Sequence, residues 1–177
     1  MVLKGRGKGS PAVIIGNKAL TMDVLSGHIL VNKDGDRLDP EDVLQNKIVG
    51  LYFSAGWCSP CKDFTPILCD FYSELMDHSH SPPPFEIVFI SSDKSADDMV
   101  DYMNTMHGDW LALPWHDSYK HELKNMYKVV ALPRLVIVKP NGEVITDKGR
   151  KHIRERGLAC FRSWLEGADV FQNFTSK

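Results

Sequence analysis

Cys58 and Cys61 stand two residues apart in the run Phe53-Ser54-Ala55-Gly56-Trp57-Cys58-Ser59-Pro60-Cys61-Lys62. This spacing admits three readings: a redox dithiol, half of a zinc site, or two thiols with no joint role. The flanking residues bear on the choice. Ile48-Val49-Gly50-Leu51-Tyr52-Phe53 is an apolar run of strand length, as expected of a strand buried on both faces. After the pair, Phe64, Ile67, Leu68, Phe71 and Leu75 recur at offsets of three and four, which predicts a helix from 59 to about 77. The cysteines therefore sit where a strand hands over to a helix. The first turn of a helix presents free N–H groups and the positive end of its dipole, an environment that favours thiolates, the nucleophilic form. Cys58 stands at or just before that turn. Pro60 suits an early helical position, where its missing N–H has no partner to lose. Cys61, one turn on, is placed to attack a disulfide formed at Cys58. A zinc site needs two further ligands. His78 and His80 fall at the far end of the same helix, about 25 Å from its start at 1.5 Å per residue. No metal is expected, and redox chemistry is the favoured reading.

The elements that must position this pair are set by a chain of 177 residues and net charge −2, the size and balance of one soluble domain. No basic excess points to nucleic acid. No apolar run reaches transmembrane length, so no membrane partner is expected. Four cysteines in this length do not make a disulfide framework. They read instead as reduced thiols in a cytoplasmic setting, with one pair set apart for chemistry.

Lys4-Gly5-Arg6-Gly7-Lys8-Gly9-Ser10-Pro11 has little to pack, so residues 1–21 are expected to form a disordered basic extension. Globular sequence opens near Met22, itself a possible alternative start. A short strand at 28–31, a turn at Asn32-Lys33-Asp34-Gly35 and a capped helical turn after Asp39 lead to the central strand. Pro66 should bend the helix after the cysteines rather than end it. The loop His78-Ser79-His80-Ser81-Pro82-Pro83-Pro84 stops it, and 85–91 is the next strand. Ser95 opens a helix in capping-box style, with Met99, Tyr102, Met103 and Met106 on one face. Trp110-Leu111-Ala112-Leu113-Pro114-Trp115 has no clear element type. Tyr119, Leu123, Met126 and Tyr127 mark a further helix. Val129-Val130-Ala131-Leu132-Pro133 leads into a strand at 134–138. Asn141-Gly142 predicts a two-residue hairpin turn into 143–145, and a last helix runs from 153 to about 166. A parallel crossover followed by an antiparallel pair makes this an α/β chain, a mixed central sheet with helices on both faces.

The assembled set resembles the thioredoxin fold, and finer features resemble its nucleoredoxin and tryparedoxin branch. These are Leu51-Tyr52-Phe53-Ser54-Ala55-Gly56-Trp57-Cys58, Phe64-Thr65-Pro66, and Trp110 to Trp115 between the CxxC and the X-Pro pair. Gly149-Arg150-Lys151-His152-Ile153-Arg154-Glu155-Arg156-Gly157 and Asp169-Val170-Phe171-Gln172-Asn173-Phe174 are similar to the nucleoredoxin-like proteins. The resemblance covers 22–177 as one thioredoxin-like domain. It implies a cytoplasmic, monomeric thiol–disulfide oxidoreductase with Cys58 and Cys61 as catalytic residues, without a cofactor. Substrates are protein disulfides or dithiols, and an unidentified reductant recycles the pair. Trp57, Ser59, Pro60, Leu132 and Pro133 are the implied substrate-binding residues, with Pro133 cis and the Leu132 backbone free to pair with a substrate strand. The resemblance also implies a role in keeping photoreceptors and other sensory neurons viable. Its rival is a trophic or partner-binding protein on the same fold with vestigial redox activity.

One position departs from the minimal thioredoxin pattern. Where that pattern has a buried acid six residues before the first cysteine, this chain has Tyr52. With a reference pKa of about 10, a tyrosine is no base near neutral pH. A slow resolving step is expected, with Asp93 as a weak candidate for taking the Cys61 proton. Cys69 and Cys160 read as structural thiols, and the methionine stripe as core. Lys148, Arg150, Lys151, Arg154 and Arg156 form a basic cluster, read as a solvated helix start ahead of a docking surface for an acidic partner. Trp110 and Trp115 either rim the active-site groove or fill space between helices.

Overall fold

A computed structural model of the protein describes residues 23–77 and 81–168. A 3-10 turn at Asp23–Leu25 precedes β1 (Leu30–Val31), β2 (Arg37–Leu38) and α1 (Pro40–Val43). The central β3 (Ile48–Ser54) leads into α2 (Ser59–Asp77), then β4 (Phe85–Ser91) and α3 (Ala96–Met106). β5 (Leu111–Ala112), α4 (Tyr119–Met126), β6 (Arg134–Val138) and β7 (Val144–Thr146) follow, closed by α5 (Gly149–Arg156) and α6 (Ala159–Ala168). The sheet order is β2-β1-β5-β4-β3-β6-β7. β3 runs parallel to β4 and antiparallel to β6, and all seven of its residues are buried. That burial is why it reads as an unbroken apolar run rather than an alternation.

Successive β3 side chains serve two cores. Ile48 and Tyr52 face Phe64, Phe71, Phe85 and Trp164 on one side of the sheet. Val49, Leu51 and Phe53 face Leu25, Leu44, Leu123 and Val136 on the other. The caps are as the sequence indicates: Asp39 Oδ1 accepts from the Glu41 amide at 2.9 Å, and Ser95 Oγ from the Asp98 amide at 3.0 Å. α2 continues through Pro66. Just before it the Thr65 hydroxyl donates to the Cys61 carbonyl, one turn back, at 2.8 Å.

Three expectations are corrected, and the segment left without an element type is assigned. Leu111 and Ala112 form a strand, parallel to β4 and antiparallel to β1. Two residues carry no readable period, so only the neighbours reveal it. Met126 is 50 % exposed, while Tyr119, Leu123 and Tyr127 hold the packed face of α4. The hairpin is not a two-residue Asn-Gly turn: the Gly142 amide donates to Lys139 O and the Lys139 amide to Glu143 O, both at 2.8 Å. Pro140 supplies the fixed φ of a turn's first corner, and Gly142, at φ 94°, takes the left-handed position that closes it. The single final helix is two, broken at Gly157 with φ 56°.

α5 lies close against β6 because residue 149 has no side chain. A Cβ there would stand 2.9 Å from the Leu135 carbonyl oxygen and from Leu135 Cδ2. Backbone cannot yield as a flexible side chain does. Gly149→Ala is expected to destabilise the fold by about 1–3 kcal/mol in urea unfolding. An unchanged midpoint would show that α5 is free to shift.

Candidate active site

Strand register assembles the site. Phe53 pairs with Arg134, so the Leu132-Pro133 turn just before β6 meets the chain leaving the end of β3. Ser54 pairs with Ser91, which brings the turn after β4 to the same place. The end of β3, the start of α2 and both turns converge outside the carboxyl edge of the parallel strands, where α/β sheets present their sites.

Cys58 and Cys61 are free thiols packed with Ala55 and Leu132. Cys58 is 6 % exposed and Cys61 fully buried, so the first cysteine is the outer one. The Cys61 amide, in the first turn of α2, points at Cys58 Sγ over 3.3 Å. Burial, with a hydrogen bond to Cys58 as the second cause, pushes the Cys61 thiol up to about 11. Trp57 stands beside the pair, 57 % exposed, its indole N–H fixed to Ser92 O at 2.9 Å. Ser59 and Pro60 are exposed on the first turn of α2. The Leu132–Pro133 peptide bond is cis. The structure thus brings Trp57, Cys58, Ser59, Pro60, Cys61, Leu132 and Pro133 to one place.

Asp93 has a role the sequence did not indicate. Its Oδ1 accepts from the Gly56 amide at 2.7 Å, its Oδ2 from Ser91 Oγ at 2.7 Å, and its carbonyl from Trp115 Nε1 at 2.9 Å. Oδ1 holds the loop that carries Trp57 and Cys58, and Oδ2 holds Ser91 at the end of β4. Asp93 is thus a scaffold residue of the site. Trp115 belongs to that scaffold, whereas Trp110 is fully buried in the core.

The polar groups near Cys61 are hydroxyls. Ser54 Oγ and Tyr102 Oη lie 2.7 Å apart, Tyr102 Oη and Thr65 Oγ1 2.7 Å, and Tyr52 Oη and Thr65 Oγ1 2.7 Å. Ser54 also bonds the Cys61 side chain, in the sense that favours its charged form. Burial raises Tyr52 well above the ordinary tyrosine value, with Tyr102 adding to it, so Tyr52 stays a neutral phenol. A single helical or strand period does not link residues 52, 54, 65 and 102, which is why the cluster was not legible. Arg150 was likewise missed as a site neighbour: its Nη1 donates to Pro133 O at 3.0 Å. The basic cluster is not merely a helix start, since Arg154 and Arg156 occupy the last turn of α5. There cations complement the dipole.

The thioredoxin-like family profile matches residues 46–144. Nucleoredoxin-like protein 1 of Homo sapiens is 36 % identical over 160 residues, covering 85 % of this chain and 76 % of that protein. The chain belongs to the nucleoredoxin-like family. Among solved structures, thioredoxin from Wuchereria bancrofti superposes with a TM-score of 0.69 at 42 % identity, covering 81 % of this chain and 98 % of that one. Tryparedoxin from Trypanosoma brucei gives 0.67 at 32 % identity, covering 78 % and 92 %. The fold is therefore the thioredoxin fold, and the family member is of the thiol-oxidoreductase type.

Among the described residues no three His, Cys, Asp or Glu side chains gather as a metal site. The histidines weighed as zinc ligands, His78 and His80, lie outside the described residues, as do the 1–21 extension, Met22 and the 169–174 segment. No described helix is long and apolar enough to cross a membrane. Cys69 is half-buried beside Met106, its thiol donating to that residue's carbonyl, and Cys160 is buried in the core. Met99 and Met103 are core residues.

Proposed function

We propose that Cys58 and Cys61 reduce protein disulfides. The observation that carries this reading is the graded pair: a rim thiol facing the first turn of α2, and a fully buried thiol one turn behind it. The Cys58 thiolate attacks one sulfur of the substrate disulfide, and the other sulfur leaves as a thiolate that takes a proton from water. Cys61 then attacks Cys58 Sγ, the bond from Cys58 to the substrate sulfur breaks, and the proton given up by Cys61 is taken by that leaving sulfur, so the substrate departs as a dithiol. Two electrons have passed to the substrate, and a Cys58–Cys61 disulfide remains for a dithiol reductant to restore.

Trp57, Ser59 and Pro60 form the rim against which substrate rests, and the Leu132 backbone pairs with a substrate strand beside Pro133. The working unit is the 22–177 domain in the reducing cytoplasm, a setting that suits a chain of this length with only four cysteines. Likeness to nucleoredoxin-like proteins extends the role to upkeep of photoreceptors and other sensory neurons. The hydroxyl-lined surroundings of Cys61, with no carboxylate at position 52, favour the rival reading of a partner-binding protein with vestigial chemistry. Insulin reduction with dithiothreitol separates the two. The wild type is expected to exceed the uncatalysed rate and Cys58→Ser to fall to it, a loss on the order of 10³-fold. Equal background rates in both proteins would leave only the binding reading.

A further inference from the structure

Beside the cis-proline turn lies a cavity of about 540 Å³ bounded by residues 131–134, by Asp147 and Lys148 after β7, and by one face of α5. Arg134, Lys148, Arg150, Lys151 and Arg154 line it, against the carboxylates of Asp147 and Glu155. Five cations facing two anions leave a positive excess on a chain whose net charge is −2. The two carboxylates are already engaged: Asp147 lies 3.7 Å from Arg134 and 3.6 Å from Lys148, and Glu155 is 2.6 Å from Lys151. Arg150 and Arg154 have no carboxylate partner among the described residues. Both guanidinium groups stack over the buried Phe64 ring, at 5.6 and 5.5 Å. Arg150 is further pinned by its bond to Pro133 O, and its Nε is buried without a partner among the described residues. Helix stability does not account for the arrangement, since Arg150 and Lys151 lie in the first turn of α5, where cations oppose the dipole.

We propose that this cavity receives the acidic side chains flanking a substrate cysteine, so that the preferred substrate is a polypeptide disulfide with carboxylates next to the reacting sulfur. The inference rests on the disulfide-reductase reading above and names its substrate class. A substrate strand pairing with the Leu132 backbone advances about 3.3 Å per residue. Residues one to three places from its cysteine then pass Pro133 and reach Arg150, Lys151 and Arg154. Arg150 offers a fixed planar fork to a carboxylate, and the two exposed cations supply attraction that salt screens.

The test uses the full chain, pre-reduced, in single-turnover reactions with three peptide disulfides that differ only in the residues beside the cysteines: glutamates, serines or lysines. At low salt the glutamate peptide is expected to react about tenfold faster than the serine peptide, and the lysine peptide slower than both. The spread should collapse in 0.5 M NaCl, about where the screening length drops below the span of the cavity. Lys151→Glu with Arg154→Glu should reverse the order of the glutamate and lysine peptides. Equal rates for all three at low salt, or an order unmoved by the double reversal, overturns the docking proposal and leaves the reductase reading standing. No reaction with any peptide sinks the reductase reading and this inference with it.

Discussion

Cys61→Ser is expected to react once with a disulfide substrate and stop, leaving a mixed disulfide on Cys58 and turnover lowered on the order of 10³-fold. Cys61 is fully buried and its thiol is pushed up to about 11, so at neutral pH it has no standing as a free nucleophile. Its only accessible electrophile is the sulfur one turn away, and that proximity substitutes for intrinsic reactivity. The Ser54 hydroxyl beside it steadies the charge when the proton leaves. A serine at 61 keeps the packing but not the nucleophile, since an alkoxide does not form there near pH 7. Mass spectrometry of the trapped adduct is the check. Wild-type turnover by Cys61→Ser, or an adduct on Cys69 or Cys160 instead of Cys58, would overturn the assignment of roles.

The second large effect is an acid sensitivity at His107, whose ring packs on Tyr102 of the hydroxyl cluster. This side chain is 5 % exposed inside an aromatic box, with Phe89 and Tyr102 ring centroids each 4.4 Å away and Trp110 at 5.3 Å. Nδ1 accepts the Trp110 indole N–H at 3.2 Å, so the ring proton sits on Nε2, which has no partner among the described residues. Burial holds its pKa down to about 3 from an ordinary 6.5, with Lys33 adding to the effect. Between those values the unfolded chain binds a proton that the folded chain refuses. Stability contributed here is full above pH 6.5 and drains away as pH falls toward 3. Between pH 7 and pH 4.5 the loss from this group is on the order of 3 kcal/mol, large against a typical domain stability of about 5–15.

Carboxylates titrate over the same range, so the comparison that isolates His107 is with His107→Phe. That variant strands the Trp110 N–H and should be less stable at pH 7 by about 1–3 kcal/mol. Its loss on acidification should be smaller than the wild type's by on the order of 3 kcal/mol in urea unfolding at the two pH values. Parallel losses in the two proteins would mean the histidine is not the refusing group.

Several parts of this molecule were legible as local chemistry. The apolar run ending at Phe53, the helical period from Phe64 to Leu75 and the cysteines between them place the reactive pair at a strand–helix junction without reference to any distant residue. Ser95, Asp39 and the strand 85–91 are legible for the same reason: caps and periods act over four or five neighbouring positions. Even the misread hairpin contained its correction locally, because Pro140 precedes Asn141 and takes the turn's first corner. Met126 and the break at Gly157 were misread where periodicity alone had to choose a face or an end point.

By itself, then, the order of residues determined that a dithiol would stand at the head of α2 and which neighbours would flank it, since those interactions close within a few peptide units. Only the tertiary structure decided which thiol is rim and which is floor, because burial depends on everything packed above. It alone set Ser54, Thr65 and Tyr102 around Cys61, spent Asp93 on holding the Gly56 loop, and laid Arg150 across Phe64 to the Pro133 carbonyl. Contacts such as Arg150 to Pro133 and Arg150 to Phe64 join residues 17 and 86 positions apart in the chain. They come into being only when β3, β4 and β6 lock into register, and no local pattern carries that information.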